Sequence, residues 1–211
     1  MSDAPPEVRT AAARQEFDAC ATALAAAFAD DPLMSFLWPD AHCRHAALPR
    51  YFTASLRFEH GRIGVVDHLA DHTGRPIAVA AWDGPDRGGP VAGLGRTLRA
   101  APRTLTALGG RVGAGIDVRR RLDAHEPSDR HWTLVNLGVT PAAQKRGLAR
   151  ILLEHRLATV DARGYPAHLV CTRAENVALY RRFGFAVRDE FTLADGTPLW
   201  SMDRPPARTD R

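Results

Sequence analysis

The chain holds little cysteine: three residues, Cys20, Cys43 and Cys171, among 211. Three thiols make no even disulfide framework, so an apolar core has to hold the fold, as in a reducing compartment. No apolar run approaches the roughly 20 residues that a membrane-spanning helix needs. The first residues include Asp3 and Glu7 and lack the hydrophobic block of a secretion signal. Both absences predict a cytoplasmic protein without a membrane partner. Internal repeats are missing, and so are two common phosphate signatures. There is no Gly-x-x-x-x-Gly-Lys-Ser/Thr, and Gly93-x-Gly95 and Gly113-x-Gly115 follow no strand that would make them part of a dinucleotide loop. One region is basic, Arg96, Arg99, Arg103, Arg111 and Arg119 to Arg121, and it has no aromatic residue to stack on a base. The net charge of +4 therefore predicts no nucleic-acid partner. His42, Cys43 and His45 lack a second, distant ligand pair, which argues against a metal site.

What is present suits one globular domain over 1–211, with a core from about 9 to 204: 45% of the residues are apolar and 25% charged. Alanine-rich Ala11 to Ala29 reads as a first helix that stops before Asp31-Pro32, and His42 to His60 as a second whose early part Pro49 limits. Arg62 to Leu69 and Pro76 to Trp82 flank turn residues and read as an antiparallel hairpin. Residues 84 to 128 are rich in Gly, Pro and Arg, with helices near 91–108 and 115–124. His131 to Val139 is a central strand and Arg146 to about Arg163 an amphipathic helix. Pro166 to Thr172 is a strand parallel to the central one, because a helix joins them. Phe185 to Leu193 and Pro198 to Asp203, joined through Asp195-Gly196, form a closing hairpin. The fold class is α/β, a mixed sheet with helices on both faces.

Two segments carry chemistry. Gln144-Lys-Arg-Gly-Leu-Ala-Arg-Ile-Leu-Leu153 follows the apolar stretch Leu134 to Val139 and reads as strand, glycine turn and helix. Gly147 keeps no side chain between an anion and the backbone, and the first helical N–H groups have no partner within the helix. Lys145, Arg146 and Arg150 add positive charge. The second segment, Ala174 to Phe185, reads as a short helix with Asn176 near its start and Gly184 as its left-handed stop. Asn176 and Tyr180 are four apart and share a face.

The spacing Gln144-x-x-Gly147-x-Ala149 resembles the pyrophosphate loop of the GCN5-related N-acetyltransferases (GNAT), and Asn176 to Phe185 resembles that superfamily's Asn-x-x-Ala-x-x-Leu/Phe-Tyr-x-x-x-Gly-Phe signature. Within it the chain is most similar to puromycin N-acetyltransferase-type enzymes, in Ala25 to Asp30 with Pro32, Ile77 to Trp82, Trp132 to Thr140, Gly164 to Tyr180 and Trp200-x-Met202. The resemblance implies the acyl-CoA N-acyltransferase fold, whose central sheet is splayed, with the cofactor half at about 131–204. It implies acetyl-CoA as acetyl donor, held by Gln144, Lys145, Arg146, Gly147, Leu148, Ala149 and Asn176, with Tyr180 as general acid. It also implies that a backbone N–H within Leu137-Gly138-Val139 meets the acetyl oxygen where the strand splays, and Gly138 suits a bulge there. A phenol with a pKa near 10, above about 8.5 for a thiol, carries a proton at neutral pH that it can offer a thiolate.

Some members of the superfamily place a glutamate in the central strand where this chain has Thr133. Glu59, Asp83, His131 or a water chain stay open as the base. Cys171 raises the rival of an acetyl-cysteine intermediate, but it sits in an apolar run that favours a core role. The acceptor is expected at the other end of the splayed strands, where Phe28, Met34, Phe36, Trp38 and Trp82 are the apolar candidates. Asp30, Asp31 or Asp83 could draw in an ammonium group. These residues predict a small-molecule primary amine, such as an aminonucleoside or other antibiotic-like amine, acetylated by a monomer or homodimer. The alternatives are a protein lysine or N-terminal acetyltransferase and a non-catalytic acyl-CoA-binding module.

Overall fold

In the computed structural model the described residues are 7–60, 64–86 and 106–207, and they build a seven-stranded sheet of order β1-β2-β3-β4-β5-β7-β6. The strands are β1 (Arg9–Thr10), β2 (Gly64–Ala70), β3 (Pro76–Asp83), β4 (Trp132–Val139), β5 (Ala167–Cys171), β6 (Ala186–Thr192) and β7 (Pro198–Arg204). All neighbours are antiparallel except β4 and β5. The helices are α1 (Arg14–Ala27), α2 (Pro32–Leu37), α3 (Ala41–Ala54), α4 (Val112–Ala124), α5 (Leu148–Ala162) and α6 (Ala174–Arg181). None is long and apolar enough to cross a membrane among the described residues.

β3, inside the sheet, is buried on both faces, which is why Ile77 to Trp82 reads as an unbroken apolar run. Val79 and Ala81 of β3 pack with α1, α2 and α3, whereas Ala78, Ala80 and Trp82 pack with α5 and α6. Alanines make the first contact close. A Cβ on Gly138 of β4 would stand 2.9 Å from Ala27 Cβ and 3.0 Å from Leu24 Cδ2, so that glycine lets α1 lie on the strand. It pairs in regular register with Val79 and makes no bulge. The bulge is three residues earlier. Ala81 pairs with Asn136 and Trp82 with Leu134, leaving Val135 as the extra residue.

Several boundaries differ from the sequence expectation. Pro49 lies inside α3 without shortening it, and the helix continues through a π-helical turn, Ser55–His60. A short α2 follows Asp31, whose carboxylate accepts the amides of Leu33 (3.0 Å) and Met34 (3.2 Å). With Pro32 at the first position, this is a well-formed helix start. The helix expected near 91–108 falls largely outside the described residues. The strand expected from Arg62 begins at Gly64 among them. β7 inserts between β5 and β6, and it is β7 that pairs with β5.

Two buried charges set helix positions. Arg156 of α5 forms a bidentate pair with Asp67 of β2 (2.8 and 2.7 Å), and Asp67 also accepts from Thr10 of β1 at 2.8 Å. Arg44 of α3 donates to the carbonyls of Ala29 (2.6 Å) and Trp38 (2.7 Å), tying the α1–α2 corner and the end of α2 to α3.

Candidate active site

β4 and β5 pair only from Trp132 to Leu134, against Ala167 to Leu169, and then diverge. Into that fork opens a cavity of about 1060 Å³, which runs from the Gly147 turn past β4 and β5 to His60 and Asp83. One end is a turn that presents amides. Lys145 (φ 61°) and Gly147 (φ 76°) are both left-handed, and Gly147 is the N-cap of α5 without any side-chain cap bond, so the first amides of the helix keep no side-chain partner. A left-handed non-glycine residue such as Lys145 is strained, as is common where a ligand is held. Gln144, Lys145, Gly147, Leu148, Ala149 and Arg150 are in the cavity wall. Arg146 is exposed and is not. Gln144 Nε2 donates to Val139 O at 3.3 Å, fixing the turn to the end of β4.

α6 forms the next stretch of wall with Asn176, Leu179 and Tyr180. Gly184 (φ 83°) ends the segment: its N–H reaches Arg181 O at 3.1 Å and that of Phe185 reaches Tyr180 O at 3.2 Å, the paired bonds of a Schellman stop. Tyr180 is buried, with its ring edge-on to Phe185. Burial, then the nearby Cys171 and Asp31, push its phenol well above the ordinary value, so it remains protonated at any physiological pH. Cys171 is close by, but burial raises its thiol to about 11, and its Sγ donates to Arg173 O at 3.0 Å. Such a thiol carries almost no thiolate and is a poor nucleophile.

Leu137, Gly138 and Val139 line the fork, but the bulge that sequence reasoning placed at Gly138 is at Val135. A signal was available. Trp132 and Leu134 face α5, and so do Leu137 and Val139, and that change of parity requires one extra residue between them. Beside the bulge Asn136 lines the cavity, and its Oδ1 is buried without a hydrogen-bond partner among the described residues.

At the far end Phe28, Met34 and Asp31 are in the wall. Asp31 is committed as the cap of α2, and its second oxygen accepts from Thr172 Oγ1 at 2.6 Å. Burial raises its carboxyl above the usual carboxylate range. Trp82 is fully buried on the α5 face and cannot reach this end. Trp38 is not in the wall either: its Nε1 donates to Ala107 O at 3.2 Å and its ring packs against Tyr51. Phe36 sits outside, under the Arg111 guanidinium. Tyr51, with Val118 and Leu122 of α4, fills the place expected of the tryptophans. These three went unrecognised because nothing in sequence distinguishes a cavity wall from ordinary core packing.

Of the bases left open, Asp83 is in the wall, bonded to His60, which sequence reasoning did not single out. Glu59 and His131 are outside it. Glu126, from the loop after α4, does line it and lies 3.4 Å from Thr133 Oγ1.

Residues 104–187, from α4 through α6, match the family model described as an acetyltransferase (GNAT) domain. That stretch, 84 of the 211 residues, carries the match to a GNAT acetyltransferase domain. Over 56 residues it is 43% identical to the [ribosomal protein bS18]-alanine N-acetyltransferase of Salmonella typhimurium, a match that covers 25% of this chain and 38% of that protein. Over 84 residues it is 32% identical to an uncharacterized N-acetyltransferase of Schizosaccharomyces pombe, covering 38% of this chain and 34% of that one. The chain thus spans little more than a third of the curated relatives it matches. A crystal structure of a histone acetyltransferase HPA2 and related acetyltransferase from Corynebacterium glutamicum superposes with a TM-score of 0.73 at 24% identity, covering 98% of this chain and 99% of that one. That likeness concerns the fold, and it extends across both halves of the sheet.

Proposed function

We propose that this protein transfers the acetyl group of acetyl-CoA directly to the primary amine of a small molecule, as a cytoplasmic enzyme whose 1–211 chain works as one domain. The observation that carries the reading is the unbroken cavity from the Gly147 turn, through the β4–β5 fork, to the polar end at Asp83. The donor brings an activated thioester, and its shape suits what lines the cavity. The amides at the start of α5, with Lys145 and Arg150, suit a diphosphate. Gly147 adopts a left-handed φ and leaves open space above it, and Asn176 and the Asn136 Oδ1, unpartnered among the described residues, offer polar contacts to an amide-bearing arm.

The chain's own residues divide the work of direct transfer. The backbone of β4 beyond Leu134 turns away from β5, which frees peptide groups of Val135 to Val139 to meet a developing oxyanion. Tyr180, held protonated by burial, supplies a proton to the departing sulfur. Phe28, Met34, Tyr51, Val118 and Leu122 surround the acceptor with apolar surface suited to an amine on an aromatic or apolar body.

A second reading has one observation in its favour, the similarity over 56 residues to an enzyme named for a ribosomal-protein alanine amino group. In that reading the acceptor is a protein amino terminus. One experiment separates the two: thiol release from acetyl-CoA is followed with a panel of small aromatic amines and with peptides beginning in alanine. Turnover confined to the amines supports the first reading, and turnover confined to the peptides replaces it with the second. Binding of acetyl-CoA without turnover of either would leave only a coenzyme-binding module.

A further inference from the structure

Where the π-helical turn after α3 ends and β3 ends, two buried side chains meet. His60 Nδ1 lies 2.8 Å from Asp83 Oδ1, and both residues are in the cavity wall, 8% and 6% exposed. Asp83 is the partner of Thr133 on β4, one rung from Leu134, the last residue that β4 pairs with β5. The pair therefore stands next to the fork, on the acceptor side. π-helical turns lengthen the repeat and re-aim the residues after them, and they recur at functional sites. Here the turn delivers His60 against the end of a strand distant in sequence.

A carboxylate on Nδ1 holds the ring proton there and leaves a lone pair on Nε2. Glu59 Oε2 is 3.7 Å from Nε2, outside hydrogen-bond range, so it does not occupy that lone pair. We infer that His60 is the proton acceptor for the incoming amine and that Asp83 is its positioning residue. The inference rests on the acetyltransfer reading. In the step, the amine nitrogen forms the new N–C bond and gives its proton to His60 Nε2. The C–S bond breaks with its electron pair going to sulfur, which takes the proton of Tyr180 Oη. Solvent then carries the proton from His60 back to Tyr180. One amine and one thioester yield one amide and one thiol.

Other charged groups line the same cavity, Arg119 and Asp123 on α4 and Glu126 on the following loop near Thr133, while Glu59 flanks His60 from outside its wall. Glu126 is the competitor for the role, so the test has to separate them. Full-length wild type, His60→Gln, Asp83→Asn and Glu126→Gln are assayed by thiol release with acetyl-CoA and an amine that the wild type acetylates, over a pH series. The expected result is a loss of about 10²-fold or more in kcat for His60→Gln, with the rising limb of its pH profile flattened. Asp83→Asn loses about 10-fold, KM for acetyl-CoA hardly moves in either, and Glu126→Gln keeps both kcat and the limb. His60→Ala with added imidazole recovers part of the loss, which a merely structural histidine would not allow. Wild-type turnover together with an unchanged limb in His60→Gln, or a limb lost only in Glu126→Gln, overturns the assignment while leaving the acetyltransfer reading intact. Should His60→Gln not fold, a normal kcat and limb in Asp83→Asn overturns it equally. A wild type that binds acetyl-CoA and acetylates no amine or peptide overturns the acetyltransfer reading and this assignment with it.

Discussion

Thr172 Oγ1 donates to Asp31 Oδ2 at 2.6 Å, which ties the end of β5 to the start of α2 across 141 positions of sequence. The other oxygen of Asp31 caps α2, so both sides of the cavity at this level hang on one buried carboxyl. Asp31→Ala removes the cap and strands the Thr172 hydroxyl. It should cost about 1–2 kcal/mol in urea unfolding at neutral pH. Asp31→Asn keeps an acceptor for the amides and a donor for Thr172, and it loses the burial of a charge. The sign follows from the raised carboxyl. Its contribution to stability is fully present below the unfolded value and is lost as pH rises through the folded one. The wild type should therefore gain stability relative to Asp31→Asn as pH falls from neutral toward 4, and an identical pH dependence for the two proteins would contradict the assignment.

At Gly147 backbone and ligand effects can be separated. The left-handed φ of 76° strains any side chain, although nothing lies within 4 Å of a built Cβ. Gly147→Ala should cost about 1–2 kcal/mol of stability and largely keep coenzyme affinity. Gly147→Glu adds a like charge where the diphosphate would rest and should abolish calorimetric binding of acetyl-CoA in a folded protein. Unchanged affinity in that variant would remove the turn from the binding site.

How much was readable without coordinates depended on whether the signal was local. Gly147 announces a strand-to-helix turn and Gly184 a left-handed stop by their neighbours alone, and both glycines adopt a positive φ. The parallel β4–β5 pair follows from the helix between them. Trp82 and Trp38 were misplaced because an apolar residue's type does not say which face of a buried strand it takes or what stands behind it. Asp83 could be suspected, yet His60 could not, because the pair forms only through a π turn and a separation of 23 positions in sequence. Arg156 looks like a solvated helix position until β2 brings Asp67 beneath it.

That pair gives a stability prediction independent of function. Arg156→Met leaves Asp67, which has no exposed surface, as an uncompensated buried charge and should cost about 3–5 kcal/mol in denaturant unfolding. The double variant Asp67→Leu with Arg156→Met should recover most of the loss, because neither charge is left alone. A single variant within about 1 kcal/mol of wild type would mean that water reaches Asp67.

Tyr180→Phe keeps the ring on Phe185 and removes only the hydroxyl. Coenzyme affinity should hold while kcat falls by about 10²–10⁴-fold, provided that chemistry limits the rate. Presteady-state thiol release checks that proviso, and equal single-turnover rates would exclude the phenol as proton donor.

Cys171 decides between direct transfer and a covalent relay. Its sulfur is in the cavity wall near Tyr180 and Asp31, where a relay would need it, yet burial holds the thiol at about 11 and its Sγ is bonded to the Arg173 carbonyl. A nucleophile at neutral pH needs a thiolate, and among the described residues the backbone of Arg173, not a cationic side chain, is what acts against the rise of this thiol. Cys171→Ala should therefore keep kcat within about threefold of wild type, since one small buried side chain replaces another. Wild type incubated with acetyl-CoA alone should show no acetyl group on the peptide containing Cys171, and iodoacetamide should modify exposed Cys43 long before buried Cys20 or Cys171. An acetylated Cys171 peptide that discharges when an amine is added, with kinetics lost in Cys171→Ala, would replace direct attack with a two-step exchange.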